Sequence, residues 1–251
     1  MDTVNKNKII KFIESAIDEF HETRLSKLSE LKLKDILKRK NPYLFKAKNL
    51  SVSGLIQSIL DAYLSSQEEA IFGTFLEKLA IFVSSIFING KKSSAQGVDL
   101  EFQRKGKHYI VSIKSGPNWG NSSSINKMVD YFNKAKKILK SNSNAKEIIA
   151  ICGCCYGRDD NPIKEQGYIK LCGKRFWEFI TGEENFYVDI IEPIGHKAKE
   201  KNEKYISEYN KIVNRLTKEF LKDFSDEQGN ILWDKIVILN SDIIKNTKLP
   251  I

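Results

Sequence analysis

The stretch VDLEFQRKGKHYIVSIK, residues 98–114, decides how the chain is read. Val98, Leu100 and Phe102 alternate with Asp99, Glu101 and Gln103. After Arg104-Lys105-Gly106-Lys107, Tyr109, Val111 and Ile113 alternate with Ile110, Ser112 and Lys114. A period of two on both sides of a glycine-containing turn predicts a β-hairpin. If Lys105-Gly106 is a two-residue turn, Arg104 pairs with Lys107, and counting back along both strands sets Asp99 opposite Ser112. Opposed residues share a face, with Cβ atoms about 4.5 to 5.5 Å apart, so Lys114 projects from the same side as Asp99 and Glu101. An acid and a lysine on one strand face suit a site; the same pattern also describes a hairpin with a solvated face.

Outward from the hairpin the period is helical. Ile9, Ile10, Phe12, Ile13, Ala16, Ile17 and Phe20 predict an amphipathic helix over 5–22. Arg24 to Lys48 holds nine basic and two acidic residues, punctuated by Asn41-Pro42-Tyr43, and reads as a solvated face with a turn. A helix is expected over Val52–Leu64. Ser65-Ser66-Gln67-Glu68-Glu69 then suits the N-cap of a further helix running to about Phe87. Beyond the hairpin, a polar loop from Ser115 to Ser124 leads to a helix over about 125–139 and a short buried strand over 147–152. Another strand follows at 168–171 and a helix near 175–180. A long charged helix over 198–224 carries Tyr205, Ile206, Tyr209, Ile212, Val213 and Leu216 on one stripe. The order predicts an α/β core with helical additions: one domain over 1–251, with a helical region 1–64, a core 65–195 and a helical region 196–251.

The chain has 251 residues, and 41 Lys plus Arg against 32 Asp plus Glu give a formal charge of +9, which points to an anionic partner. With 41% hydrophobic residues it can bury a proper core, which excludes disordered and fibrous classes. Ile86-Phe87-Ile88 and its neighbours are broken by Ser84 and Ser85, short of the roughly 20 apolar residues of a membrane span. Glu14, Asp18 and Glu19 interrupt any secretory signal, so a cytoplasmic location is expected. Three scattered histidines, His21, His108 and His196, offer little to histidine-metal sites or Ser-His-Asp triads, leaving carboxylates to carry any hydrolysis. Cys152, Cys154, Cys155 and Cys172 lack the two-residue gap that wraps thiolates around zinc and read as buried reduced thiols, with zinc the alternative.

Gly97-Val98-Asp99 followed by Ser112-Ile113-Lys114 resembles the signature of the PD-(D/E)XK nuclease superfamily, an acid on one strand and acid-x-Lys on the next. Phe72-Gly73-Thr74-Phe75-Leu76-Glu77 resembles the helix that often contributes a further acid there. With Lys114-Ser115-Gly116 and Gly173-Lys174-Arg175-Phe176-Trp177, the pattern is similar to type II restriction endonucleases that cut short, partly degenerate G/C-containing sites. The resemblance covers roughly 65–182. It implies a restriction-endonuclease-like mixed sheet flanked by helices. It also implies Mg²⁺-dependent cleavage of both strands of double-stranded DNA by a homodimer in the bacterial cytoplasm, with no membrane partner.

One position departs from that family: Ser112 stands where an Asp or Glu is usual, and a hydroxyl is a poor substitute for a metal-binding carboxylate. Glu77, one turn after Gly73, is the first candidate to replace it. Gly73 would leave room for a neighbouring strand or phosphate, while Phe72, Phe75, Leu76, Leu79 and Val83 define the buried stripe of that helix. Glu101 is the second, although its strand spacing of about 6.6 Å from Asp99 is long for one ion. The resemblance thus implies a metal held by Asp99, Glu77 and the carbonyl of Ile113, with Lys114 stabilising transition-state charge. Nine basic residues against Asp130 alone between Gln103 and Lys140 suit phosphate neutralisation, with Lys127 among them. Asn118, Trp119 and Asn121, just after the catalytic strand, are expected to contact DNA. A structure-specific repair or junction nuclease, and a DNA-binding module whose site has decayed, remain alternatives.

Overall fold

A computed structural model describes residues 2–142 and 147–242; the last part of the expected C-terminal region lies outside the described residues. Along the chain the elements are α1 (Thr3–Ser29), α2 (Leu33–Leu37), α3 (Pro42–Lys48), α4 (Val52–Ile88), β1 (Lys91–Lys92), β2 (Leu100–Arg104), β3 (Lys107–Lys114), α5 (Ser122–Asn142) and β4 (Glu147–Cys154). They continue as β5 (Ile163–Lys164), β6 (Tyr168–Cys172), α6 (Lys174–Thr181), α7 (Phe186–Asp189), α8 (Ile191–Ile194), α9 (Ala198–Phe224) and α10 (Trp233–Ser241). They form two compact units, one of Ile71–His196 with the segment up to Phe20, the other of His21–Ala70 with the segment from Lys197 onward.

The first unit is built on a six-stranded mixed sheet in the order β1-β2-β3-β4-β6-β5. The hairpin β2–β3 is antiparallel, β3, β4 and β6 run parallel, and β5 closes the edge antiparallel to β6. Because side chains alternate along a strand, neighbouring residues feed different cores. Leu100, Phe102, Val111, Ile113 and Ile151 join Ile9, Ile13 and Ile17 of α1, Phe75, Leu79 and Val83 of α4, and Phe176, Trp177 and Ile180 of α6. Ile110, Ala150, Cys152 and Cys154 pack instead with Met128, Phe132 and Ala135 of α5. Helices on both faces of a mixed sheet are the α/β arrangement expected from the element order.

The second unit is helical, and here four expectations are corrected. The basic stretch from Arg24 to Lys48 is no solvated face: Leu28, Leu31, Leu33, Ile36, Leu37 and Phe45 lie in a core with Leu55, Ile59, Leu216 and Phe220. Asn41-Pro42 is a helix start, its Oδ1 accepting from the N–H groups of Tyr43 (3.0 Å) and Leu44 (3.3 Å). The stripe of α9 is core at Tyr205, Val213 and Leu216, while Ile206 stays exposed.

The fourth correction concerns α4, which runs unbroken for 37 residues through Ser65–Glu69. Ser66 donates its hydroxyl back to the carbonyl of Ala62 (3.3 Å) rather than capping a new helix. Burial holds the helix on either side: Leu55, Ile56, Ile59 and Leu60 in one unit, Leu79, Ala80 and Val83 in the other. By length and composition alone α4 would pass as a membrane span, which the sequence reading did not expect. Its apolar residues supply the two cores.

Candidate active site

The β2–β3 turn has positive φ at Lys105 (50°) and Gly106 (74°), the two-residue geometry that matches the strands' twist. Arg104 pairs with Lys107 and Leu100 with Val111, the register read from the sequence; the regular ladder ends there, and the Asp99 N–H donates to the Val111 carbonyl (2.9 Å) rather than continuing it to Ser112. β2 begins at Leu100, which leaves the Ile113 N–H without a strand partner. Asp99 takes it, Oδ2 accepting at 2.6 Å, with the Ser112 hydroxyl at 3.4 Å from the same oxygen. A strand residue's N–H and C=O point to the same side, so the Ile113 carbonyl faces the edge that carries Asp99. Gly97 sets the approach: its φ is +75°, and the Tyr131 ring occupies the space where a Cβ would stand.

Lys114 ends β3, its Nζ 5.1 Å from the centre of the Trp119 ring. Helix α4 approaches the same strand end through Gly73, where a Cβ would lie 2.7 Å from Ser115 Oγ. One turn on, half-buried Glu77 stands 3.8 Å from Lys92 Nζ. Burial first, and then the charge of Asp99, push its carboxyl above the ordinary glutamate range, while Lys92 and Lys114 pull it back. Asp99, Lys114 and Glu77 therefore share one electrostatic neighbourhood, although Glu77 comes from a helix and the others from a hairpin. Glu101 is engaged elsewhere, with Lys91 (3.2 Å), the Ser93 hydroxyl (3.2 Å) and His108 (3.9 Å).

The raised carboxyl of Glu77 has a consequence for stability. Folding favours its protonated form, so the group costs stability at pH values above both its folded and unfolded pKa and nothing below the unfolded one. Glu77→Gln is expected to unfold at higher denaturant concentration than the parent at pH 7 in EDTA, with the gap closing as the pH falls towards about 4. Denaturant titrations at several pH values check this; a gap that widens in acid contradicts it.

The loop after β3 is placed differently from its composition. Asn118 is exposed, but Trp119 is half-buried against the α5-side core. Asn121 caps α5, its Oδ1 accepting from the Ser124 N–H (3.0 Å) and hydroxyl (3.1 Å). Lys127 is exposed on the first turns of α5, its Nζ 5.9 Å from the Tyr131 ring centre. Lys170 was not singled out from sequence. It donates to the Pro117 carbonyl (3.0 Å), pairs with Asp159 (3.2 Å), and so ties this loop to β6. Its only sequence signal is a charge inside an otherwise apolar strand. All four cysteines are buried and free. A hydrogen bond with Cys154, and then the charges of Lys114 and Lys170, hold the Cys152 thiol below the usual range despite burial.

A family model described as type II restriction endonuclease EcoO109I matches residues 7–202, more than three quarters of the chain. The class is thereby defined: a type II site-specific deoxyribonuclease, an enzyme that binds and cuts DNA. Within that class, the chain belongs to the EcoO109I family. No curated protein matches it.

Proposed function

We propose that the enzyme hydrolyses both strands of double-stranded DNA at a specific site, as a Mg²⁺-dependent homodimer with a PD-(D/E)XK centre, in the bacterial cytoplasm. The observation that carries this reading is the approach of α4 to the end of β3 through Gly73 and Ser115, which brings Glu77 within the electrostatic reach of Asp99 and Lys114, with Ser112 in the usual acid's place. Glu77 supplies the carboxylate that Ser112 cannot.

The donor set suits Mg²⁺. Among the described residues no three His, Cys, Asp or Glu side chains are grouped to hold a metal ion. Mg²⁺, however, keeps several waters and needs only one or two carboxylates. Asp99, Glu77 and the Ile113 carbonyl are hard oxygen donors, and burial together with the Asp99 charge, which raise the Glu77 carboxyl, are what a divalent cation would offset. When bound, the ion supplies polarisation of the phosphoryl oxygen and hydroxide at neutral pH. The protein's own part is positional and electrostatic. The Ile113 N–H orients Asp99, Lys114 places a cation against transition-state charge and the attacking water, and the Trp119 ring lies beside that cation. Asn118 and Lys127 are assigned to DNA contact, with Trp119 and Asn121 holding the loop that presents them. Cutting both strands of a two-fold site calls for two such centres, which a homodimer supplies.

Supercoiled plasmid incubated with Mg²⁺ is expected to give discrete linear fragments, and with EDTA none. Sedimentation at assay concentration is expected to show twice the 28.8 kDa chain mass. Preference for branched substrates, or binding without cleavage, would overturn the proposal in favour of a junction nuclease or a decayed site.

A further inference from the structure

We propose that the groove at the carboxyl ends of β4 and β6, next to the end of β3, reads base edges of the DNA site, with Arg158 and Arg175 as specificity-determining residues. The inference rests on the DNA-cleaving reading above and extends it from chemistry to recognition.

The groove is a cavity of about 730 Å³ whose wall includes Phe72, Leu76, Tyr156, Arg158, Arg175 and Trp177. It adjoins the catalytic strand. On α4, Phe72 and Leu76 line it, while Gly73 and Glu77, on the next face, meet Ser115 and the Asp99–Lys114 neighbourhood. From β4, the Cys155 N–H donates to the Lys114 carbonyl (2.9 Å) and the Tyr156 N–H to the Ser115 carbonyl (3.0 Å). Tyr156 is 55% exposed, yet its ring lies where a Cβ on Gly116 would stand. In open sheets with parallel strands, ligands bind beyond the carboxyl ends of those strands.

The arginines sit on rigid supports. Gly157 packs on Pro117, and a Cβ on Gly173 would lie 2.7 Å from the Gly157 carbonyl oxygen. The Gly173 N–H donates to the Cys154 carbonyl (3.0 Å), so the segments leaving β3, β4 and β6 are held against one another. The floor is fixed by Trp177, 1% exposed, whose Nε1 donates to the Cys155 carbonyl at 2.7 Å. Backbone held in this way loses little further freedom on binding, so the ordering cost falls on the side chains alone.

The charges in the wall sort themselves by partner. Asp159 is paired with Lys164 (2.9 Å) and Lys170 (3.2 Å), and Lys174 with Glu184 (2.6 Å). Arg158, Arg175 and Asp160 are exposed and make no ion pair among the described residues. Two unpaired guanidinium groups beside an exposed tyrosine suit DNA, since the planar fork matches the O6 and N7 acceptors of guanine in the major groove. The loop after β3 leaves most of this role open: the carboxamide oxygen of Asn121 is spent on the α5 cap and Trp119 is packed, so that of the three residues Asn118 is left for DNA.

The test uses a duplex carrying the site mapped from the ends of wild-type digestion fragments, and an unrelated duplex. Binding is measured in EDTA and again in Ca²⁺ over a salt series, for Arg158→Lys, Arg175→Lys and the matching Ala variants. Lysine keeps the charge and loses the fork, so each Lys variant is expected to weaken cognate binding about tenfold or more. Unrelated binding and the salt slope should stay close to wild type. Both positions are exposed, and thermal unfolding is expected to be unchanged. Equal losses on both duplexes with a flatter salt slope for the Ala variants would mark phosphate contacts and overturn base reading; undiminished cognate binding would overturn the groove altogether. Wild-type protein that discriminates while the variants are unaffected leaves the nuclease reading standing. Wild-type protein that neither cuts nor discriminates removes both.

Discussion

Asp99→Asn is expected to lower the rate of DNA cleavage by about a thousandfold or more while leaving the fold and cognate binding in place. The asparagine keeps an oxygen that can accept from the Ile113 N–H, so the contact that shapes the strand end survives and only the charge is removed. Asp99→Ala would also strand that N–H, at a cost of about 1–3 kcal/mol in stability, and so confounds fold with chemistry. Loss of a metal-binding charge removes several kcal/mol of transition-state stabilisation, and each 1.36 kcal/mol is tenfold in rate. Lys114→Ala should lose activity comparably, since its cation lies in the same neighbourhood. Binding in EDTA should not weaken for Asp99→Asn, because a carboxylate near phosphates opposes binding when no cation is present. Single-turnover cleavage of a labelled duplex, with binding measured separately, checks each part; a variant that cuts at near the parent rate sinks the assignment.

The second large effect falls on Glu77. Glu77→Gln is expected to lose most activity, about a hundredfold or more, whereas Ser112→Ala should lose little. Ser112 offers Asp99 one long hydrogen bond of 3.4 Å, in a range worth about 1 kcal/mol at most. Glu101→Gln serves as the control, because that carboxylate is already held by Lys91 and Ser93. Raised Mg²⁺ should partly restore Glu77→Gln if the loss is in metal affinity, a response that a merely structural role would not give. The reverse ranking, Ser112→Ala inactive and Glu77→Gln unaffected, returns the second ligand to the strand. A severe loss confined to Glu101→Gln replaces the candidate outright.

Much of the hairpin was legible in the chain because its information is local. Strand alternation and the Lys105-Gly106 turn determine the register from Arg104–Lys107 to Leu100–Val111, and alternation puts Ser112 and Lys114 on one face of β3. Helix α9, Ala198–Phe224, was readable because its apolar stripe repeats at helical spacing from Tyr205 to Phe224. Signals that describe only a possibility were misleading. A serine three residues before an acid can cap a helix, but within α4 the backbone is already satisfied and the hydroxyl of Ser66 turns back to Ala62. Frequent lysines between Arg24 and Lys48 concealed Leu28, Leu33, Ile36 and Phe45, because charge on one side of a short helix says nothing about burial on the other.

By itself, the sequence determined the hairpin, the alternation that divides its residues between two cores, and the spacing of Gly73 and Glu77 on one helix face. Only the tertiary structure decided that this face meets the end of β3, that Asn121 serves α5, and that Arg158 and Arg175 make no ion pair among the described residues beside the strand ends. The physical reason is range: periodicity and turn chemistry act over a few residues, whereas the electrostatic coupling of Glu77 to Asp99 and Lys114 exists because α4 buries Phe75, Leu79 and Val83 against the sheet.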